Sequence, residues 1–252
     1  HLGIRVVLVH GGGPQLDEVT AKLGVQTRMV QGRRVTDASA IDATSMVLNG
    51  LINTQLVALC RSFGISAIGI GGIDGGLVQA HRRAPVTLAN GEVVDYGQVG
   101  DIDGIDGSVV TRLLDSGFLP VVSPLSCDNS GQLLNINADT VAAAIGGALV
   151  AEKLILCTGA PGILERVDDP QSLISYTDLA GLHRLREKGA ITDGMLPKSS
   201  AIEAAIRGGV RRVHVISYAE TDSLLAEIFT NEGKGTLVVA DTKALTAAEQ
   251  GQ

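Results

Sequence analysis

Tryptophan is absent from the 252-residue sequence, and phenylalanine and tyrosine number three each. So few rings exclude an aromatic platform of the kind that binds single-stranded nucleic acid. Cysteine is scarce too. Cys60, Cys127 and Cys157 stand singly in apolar stretches, an odd number that fits core thiols in a reducing compartment better than a disulfide framework. None lies at metal-ligand spacing from the five histidines, which argues against a zinc site. Positive charge is in short supply, with 20 Lys and Arg against 27 Asp and Glu, a net charge of −7 and no long basic run. Nucleic acid is therefore not the expected partner. No uninterrupted apolar run approaches the ~18 residues of a membrane span, and no signal-peptide pattern opens the chain. The expectation is a cytoplasmic protein with no membrane partner. His1 stands where a methionine would begin a native chain, so an upstream segment is expected.

Glycine, by contrast, is abundant at 32, and hydrophobic residues make up 45%. Short β-branched runs ("IRVVLVH", "ISAIGI", "LPVVSPL", "EKLILCT", "RRVHVIS", "GTLVVA") lack polar alternation, as do strands buried on both faces of a mostly parallel sheet. Between them lie helical patterns at residues 15–23, 38–63, 107–116, 138–149, 179–188, 198–207 and 220–229, the second either long or broken at Gly50. Asn90-Gly91 between strand formers predicts a hairpin on the sheet's edge. The class is α/β, in two lobes, 1–133 and 134–252, divided after the turn-rich "SCDNSGQ". The tail beyond Asp241 reads as frayed or a loosely held helix.

Chemistry concentrates where strands pass into helices. In "VHGGGP" a buried strand ends at His10, and the amides of Gly11 to Gly13 would converge with a helix's positive end on one spot. That spot is either an anion cradle or only a tight turn. The run has neither P-loop nor dinucleotide-fold spacing. "GRRVTD" offers Arg34, whose planar guanidinium suits a carboxylate, although a solvated arginine beside a Thr36 or Asp37 cap fits equally. Asn135, Asn137 and Asp139 alternate ahead of an alanine-rich helix. If extended, they share one side; capping by Asp139 is the competing account. Lys198 opens a helix, where the dipole disfavours a cation unless an anion binds, or is an ordinary surface lysine. "CTGAPGILER" follows a buried strand at the sheet's carboxyl edge, as a ligand turn or a plain loop.

Taken in order, "VHGGGP", "GRRVTD", "GIGGIDGG", "LPVVSPL", "NINAD", "PGIL", "TDGMLPK", "GVRRVHVIS" and "EIFTNEGKGT" resemble the amino-acid kinase family, specifically the N-acetyl-L-glutamate kinases of arginine biosynthesis. The resemblance runs from about His1 to about Val239. It implies a three-layer αβα sandwich, an acylamino-acid-binding lobe followed by a nucleotide-binding lobe, and ATP-dependent phosphorylation of the side-chain carboxylate of N-acetyl-L-glutamate. On matching positions it implies that Gly12 and Gly13 meet the substrate's reacting end and that Arg34 and Asn135 hold its α-carboxylate. Asp139 would orient the catalytic lysines, Lys198 would stabilise phosphate charge, and Gly159, Ala160, Pro161, Gly162, Ile163 and Leu164 with Ala190, Ile191 and Thr192 would cradle the nucleotide. Mg2+ would travel on the ATP phosphates, with no dedicated protein metal site.

The family pattern begins with a Lys-x-Gly-Gly strand absent from this sequence; the otherwise intact site leads to the expectation that this segment was cut or left out. Gly159 replaces the family's usual Asp or Asn. The resemblance also implies a homo-oligomer, either a dimer or a hexamer of dimers. Glu227 and Glu232 to Thr236 partly match an arginine-feedback signature, with Asp222 in place of a common histidine, which makes L-arginine a candidate inhibitor. The "DDPQSLI" insertion resembles that of members that bind the signalling protein PII. Two other readings stand beside this one: a kinase for another acylated or carrier-linked acidic amino acid, and a non-catalytic ligand sensor on the same fold.

Overall fold

The computed structural model describes residues 3–25, 28–30, 33–88, 90–192, 194–229 and 233–244. Gly32, Asp193, Thr230, Asn231 and Glu232 of the blocks quoted above lie outside these residues, as does the tail from 245 onward. Two compact units divide the chain, His1–Val141 and Ala142–Gln252.

In the first unit β1 (Leu8–Val9) lies parallel to β9 (Leu119–Ser123), and β9 lies parallel to β4 (Ala67–Gly71) on its other side. Val121 and Val122 on the central strand are fully buried, as the unbroken apolar runs require. The regular pairing of the first run is only Leu8 and Val9, shorter than "IRVVLVH" suggests. A second, mixed sheet orders β11 (Leu133–Asn135), β10 (Leu125–Cys127), β5 (Val78–Arg82) and β8 (Gly100–Ile105). Two small antiparallel ribbons complete the strands: β2 (Arg28–Val30) with β3 (Arg33–Val35), and β6 (Val86–Thr87) with β7 (Val93–Val94). The latter is the hairpin announced by Asn90-Gly91, but it pairs only with itself and extends no larger sheet.

Helix α1 spans Gly13–Lys22, and α4 spans Ser108–Asp115. The predicted long helix is α2 (Ala38–Ser45), a π-helical stretch at Met46–Ile52 and α3 (Asn53–Ser62), with Gly50 inside the wide turn and no break there. Asp37 caps α2 by accepting from the Ala40 amide at 2.8 Å. By length and composition Ala38–Ser62 is long and apolar enough to cross a membrane. Its polar side chains have other work: Asn49 accepts from Ser123 Oγ, and Asn53 donates to the Val121 carbonyl at 2.9 Å. Ala43, Val47, Leu48 and Ile52 on the same stretch pack with Leu16 of α1 in a buried cluster. One face of the stretch is thus packed within the unit, although only 28% of its apolar window is buried.

In the second unit β12 (Lys153–Thr158) runs parallel to β14 (Arg212–Ser217) in register from Lys153↔Arg212 to Thr158↔Ser217. β15 (Thr236–Val239) joins β14 antiparallel and β13 (Tyr176–Asp178) parallel. Helix α5 (Ala138–Ala148) contains the division between units, and α6 (Leu179–Glu187), α7 (Leu196–Arg207) and α8 (Ser223–Phe229) follow. Leu156, Leu182, Ile202, Ala205, Val213, Val215 and Val238 form the buried core.

A polar pair is set into this core. His214 on β14 and Glu227 on α8 are buried and joined Nδ1 to Oε1 at 2.7 Å, and the Gly235 amide donates to the other Glu227 oxygen at 3.0 Å. Burial pushes the Glu227 carboxyl up, but the His214 hydrogen bond and charge, with the Gly235 and Lys234 amides, outweigh it and hold the group below the usual carboxylate range. The pair therefore stabilises the fold fully at neutral pH, and that contribution is lost as pH falls through the lowered Glu227 value. Glu227→Ala leaves a buried histidine without its partner and is expected to cost about 3–5 kcal/mol in urea unfolding at neutral pH. Urea titrations at decreasing pH should show the acid-side loss in the natural protein and a shallower slope in the variant. Equal slopes would remove Glu227 as its source.

Candidate active site

In the first unit the glycine run is held from behind by a chain of side chains. Asn53 Nδ2 donates to His10 Nε2 at 3.1 Å, so the ring proton lies on Nδ1 and is donated to the Gly11 carbonyl at 3.0 Å. Burial lowers the His10 pKa against the opposing Gly11 hydrogen bond, which keeps the imidazole neutral at pH 7. Asn53 fits there because Gly69 on β4 has no side chain: a Cβ at 69 would stand 1.9 Å from Asn53 Oδ1. This supporting line, Gly69 to Asn53 to His10, went unnoticed in the sequence. Its only trace there is a glycine within a strand-like run.

Gly12 precedes α1 and Pro14 lies in its first turn, so the α1 amides at this end have no side-chain cap. A Cβ on Gly12 would sit 2.2 Å from Ile52 Cδ1 and 2.9 Å from Leu48 Cδ2, whereas one on Gly13 would meet nothing within 4 Å. Gly12 is thus pressed on the helix behind it, and Gly13 faces open space. A Cβ on Gly11 would be 3.5 Å from the Ala138 Cβ, which brings the first turn of α5, including Asp139, beside the glycine run.

Arg34 on β3 reaches α1, its Nη2 2.5 Å from Asp17 Oδ1. The Arg34 side chain is only 10% exposed, and its Nη1 is buried without a hydrogen-bond partner. A buried guanidinium nitrogen in that state is a donor set for a ligand oxygen. Asn135 on β11 donates to Thr36 Oγ1 at 3.2 Å, two residues beyond Arg34. The three polar residues do not continue one strand side: Asn135 is in β11, Asn137 accepts from the Thr140 amide at 3.1 Å, and Asp139 is already helical. Asn137 supplies the cap that the competing account gives to Asp139.

In the second unit, β12 and β14 end at the same edge, and the Tyr218 amide donates to the Thr158 carbonyl at 2.9 Å. An open pocket of about 650 Å3 lies there, with Gly159, Pro161 and Leu173 on one part of its lining and Ser217, Ala219 and Glu220 on another. Lys234 also lines it, 4.0 Å from Glu220 Oε2. Of the residues expected to cradle a nucleotide, Gly159 and Pro161 line this pocket. Ile163 and Ile191 are buried in the core, so they could offer a ligand only backbone atoms. Gly162 is held close to Thr236, whose Oγ1 accepts from the Ile163 amide at 2.8 Å, which fixes the turn. Ala190 packs on the core, and the Thr192 carbonyl accepts from the Met195 amide at 2.8 Å, leading into α7. Lys198 is in the first turn of α7, which holds no acidic residue. Its charge acts on the Cys157 thiol, lowering a pKa that burial pushes up, and this places Lys198 near the end of β12. Leu173, Ser217, Ala219 and Glu220 of the pocket carry no pattern that points to a nucleotide, and Pro170, Gln171 and Lys234 stand in segments that the sequence suggested for regulators instead. Among the described residues no group of three or more His, Cys, Asp or Glu side chains could hold a metal ion.

The sequence profile of the Amino acid kinase family matches residues 1–217. This chain belongs to that family. Acetylglutamate kinase of Myxococcus xanthus is 45% identical to this family member across 98% of the chain and 82% of its own length. Acetylglutamate kinase of Archaeoglobus fulgidus is 42% identical across 94% and 82%. Among solved structures, N-acetylglutamate synthase of Neisseria gonorrhoeae, complexed with coenzyme A and N-acetyl-glutamate, superimposes with a TM-score of 0.79 at 27% identity, covering 95% of this chain and 53% of the synthase. Carbamate kinase of Giardia lamblia bound to AMP-PNP gives 0.61 at 17% identity over 95% and 86%, a likeness of fold. The α/β architecture with parallel sheets expected from the sequence is thus the amino acid kinase fold.

Proposed function

We propose that this amino acid kinase transfers the γ-phosphoryl group of ATP to the side-chain carboxylate of N-acetyl-L-glutamate in arginine biosynthesis. The observation that carries the reading is identity above 40% with acetylglutamate kinases over nearly the whole chain. A carboxylate is ionised at pH 7, so it needs no general base. Its oxygen attacks the γ-phosphorus, the bond to the β–γ bridging oxygen breaks, and ADP leaves with that electron pair. The products are N-acetyl-L-glutamyl 5-phosphate and ADP, and no proton moves. The protein's task is alignment and neutralisation of anionic charge.

In this reading the first unit holds the acylamino acid. Arg34 Nη1 and the Asn135 amide bind the α-carboxylate, and the Gly12 and Gly13 amides donate to the reacting end, with Asp139 as the neighbour that orients cationic groups. The second unit holds ATP in the pocket beside Gly159 and Pro161, and Lys198 offsets charge on the transferring phosphates. Mg2+ would come with the ATP phosphates. The reading also includes a cytoplasmic homo-oligomer. L-Arginine at the Glu227 segment would compete with His214 and Gly235, which already occupy that carboxylate. Titrating the native protein with L-arginine and with PII tests both as regulators.

A coupled ADP-release assay with N-acetyl-L-glutamate tests the activity. Turnover independent of that substrate would end this reading. Arg34→Ala is expected to raise the KM for N-acetyl-L-glutamate by roughly 10- to 100-fold, the worth of a charge-assisted hydrogen bond. Folding should change little, because the Asp17 left behind is exposed. A KM within twofold of the natural protein would take Arg34 out of the binding site.

A further inference from the structure

We propose that Tyr218 determines nucleotide specificity in the second unit, its ring packing on the purine base of ATP in space that Gly159 leaves open. The inference rests on reading that pocket as the ATP site. Thr158 pairs with Ser217, and the Tyr218 amide bonds to the Thr158 carbonyl, so Gly159 and Tyr218 leave the sheet as immediate neighbours. A Cβ built on Gly159 would stand 3.0 Å from the Tyr218 hydroxyl, 3.5 Å from Cζ and 3.9 Å from Cε1. The phenol therefore lies alongside Gly159, and a larger residue at 159 would displace it. Ser217 and Ala219, which flank Tyr218 in sequence, both line the pocket, as does Gly159. Tyr218 is not itself among the lining residues; its ring lies against one that is, Gly159.

Tyr218 is nevertheless 73% exposed, in a chain with only six aromatic residues. A ring held beside a pocket with most of its surface uncovered suits a flat apolar ligand. Pro161 and Leu173 supply further apolar lining, while Glu220 and Lys234 supply polar groups suited to ribose hydroxyls and phosphate. A purine base offers the largest flat face such a ring can stack on. The glycine and the tyrosine thus act as a matched pair, with the missing side chain at one position making room for the ring at the other.

The test uses native full-length protein and ADP as probe. Tyr218→Ala should weaken ADP binding in calorimetry by about 5- to 20-fold, the lower part of the range for base–aromatic stacking. KM for ATP should rise by more than any fall in kcat, and Tyr218→Phe should restore most of the affinity. Gly159→Asn should weaken ADP binding in the natural background and add little in the Tyr218→Ala background. Intrinsic fluorescence is a second readout: ADP should alter emission in the natural protein, and the part of that change due to the contact should be missing in Tyr218→Phe. ADP affinity in Tyr218→Ala within twofold of the natural protein overturns the proposal and leaves the ATP site standing. Failure of the natural protein to bind ADP overturns both.

Discussion

Lys198→Ala is expected to lower kcat by roughly 10²- to 10³-fold, the loss that follows removal of one charge-stabilising group from a transition state. Its place in the first turn of α7 makes this effect separable from folding. A cation there is opposed by the helix dipole, by about 0.3–1 kcal/mol at such positions, so the dipole itself does not favour keeping it. The melting temperature should hold steady while turnover collapses. A second readout comes from Cys157, whose thiol pKa burial raises and the Lys198 charge partly offsets. Without that charge the thiolate population falls, and alkylation of Cys157 by iodoacetamide should slow. Coupled ADP release, calorimetry and the alkylation rate together check the assignment, and a kcat within threefold of the natural value would defeat it.

Gly12→Ala carries the second large effect, and its cause is purely steric. The Gly12 φ of 174° is extended backbone open to any residue, so strain does not enter. The obstacle is Ile52 Cδ1 at 2.2 Å and Leu48 Cδ2 at 2.9 Å, both on buried side chains packed with Leu16, Ala43 and Val47. Inserting a methyl group into such packing costs about 1–3 kcal/mol. The turn must also move, and displacement of positioning groups by ~1 Å costs on the order of 100-fold in rate. Gly12→Ala should therefore lose both stability and kcat/KM. Ile52→Val, which removes the Cδ1 atom, should return much of the stability when combined with it. If Gly12→Ala melts and turns over like the natural protein, the close packing of this turn has no functional role.

The sequence made legible those features that repeat a simple pattern. Strands buried on both faces show as unbroken apolar runs, which is why β9 and β14 fall where the residues put them; β12 carries a similar run as an edge strand with only Leu156 buried. Helix ends were read within a few residues from caps and glycines. Less visible was anything decided by contact between distant segments. The antiparallel join of β14 and β15 leaves no mark, since a buried strand has the same composition in either direction. The separate hairpin at β6 and β7 was placed on a sheet edge because a turn signal specifies the ribbon and not its neighbours. At the site, Arg34 and the glycine run were found by residue type, whereas Asn53 and Gly69 act only through atoms brought together by folding. Asp139 was read as a potential cap because spacing alone does not say which polar residue precedes the first helical one. Asn137 holds that place.

The widened turn at Met46–Ile52 has a consequence for how this lineage can vary. Rewinding that stretch to regular α-helix at unchanged length would swing everything beyond it by on the order of 100° around the axis, because the wide turn takes up one residue more than an α turn holds. Asn53 would then leave Val121 and His10, and the loop at Gly11 would lose its brace. The wide turn is thereby tied to an asparagine that touches no reactant: it can be lost together with its extra residue, but a chain that keeps the residue must keep the turn or replace the brace.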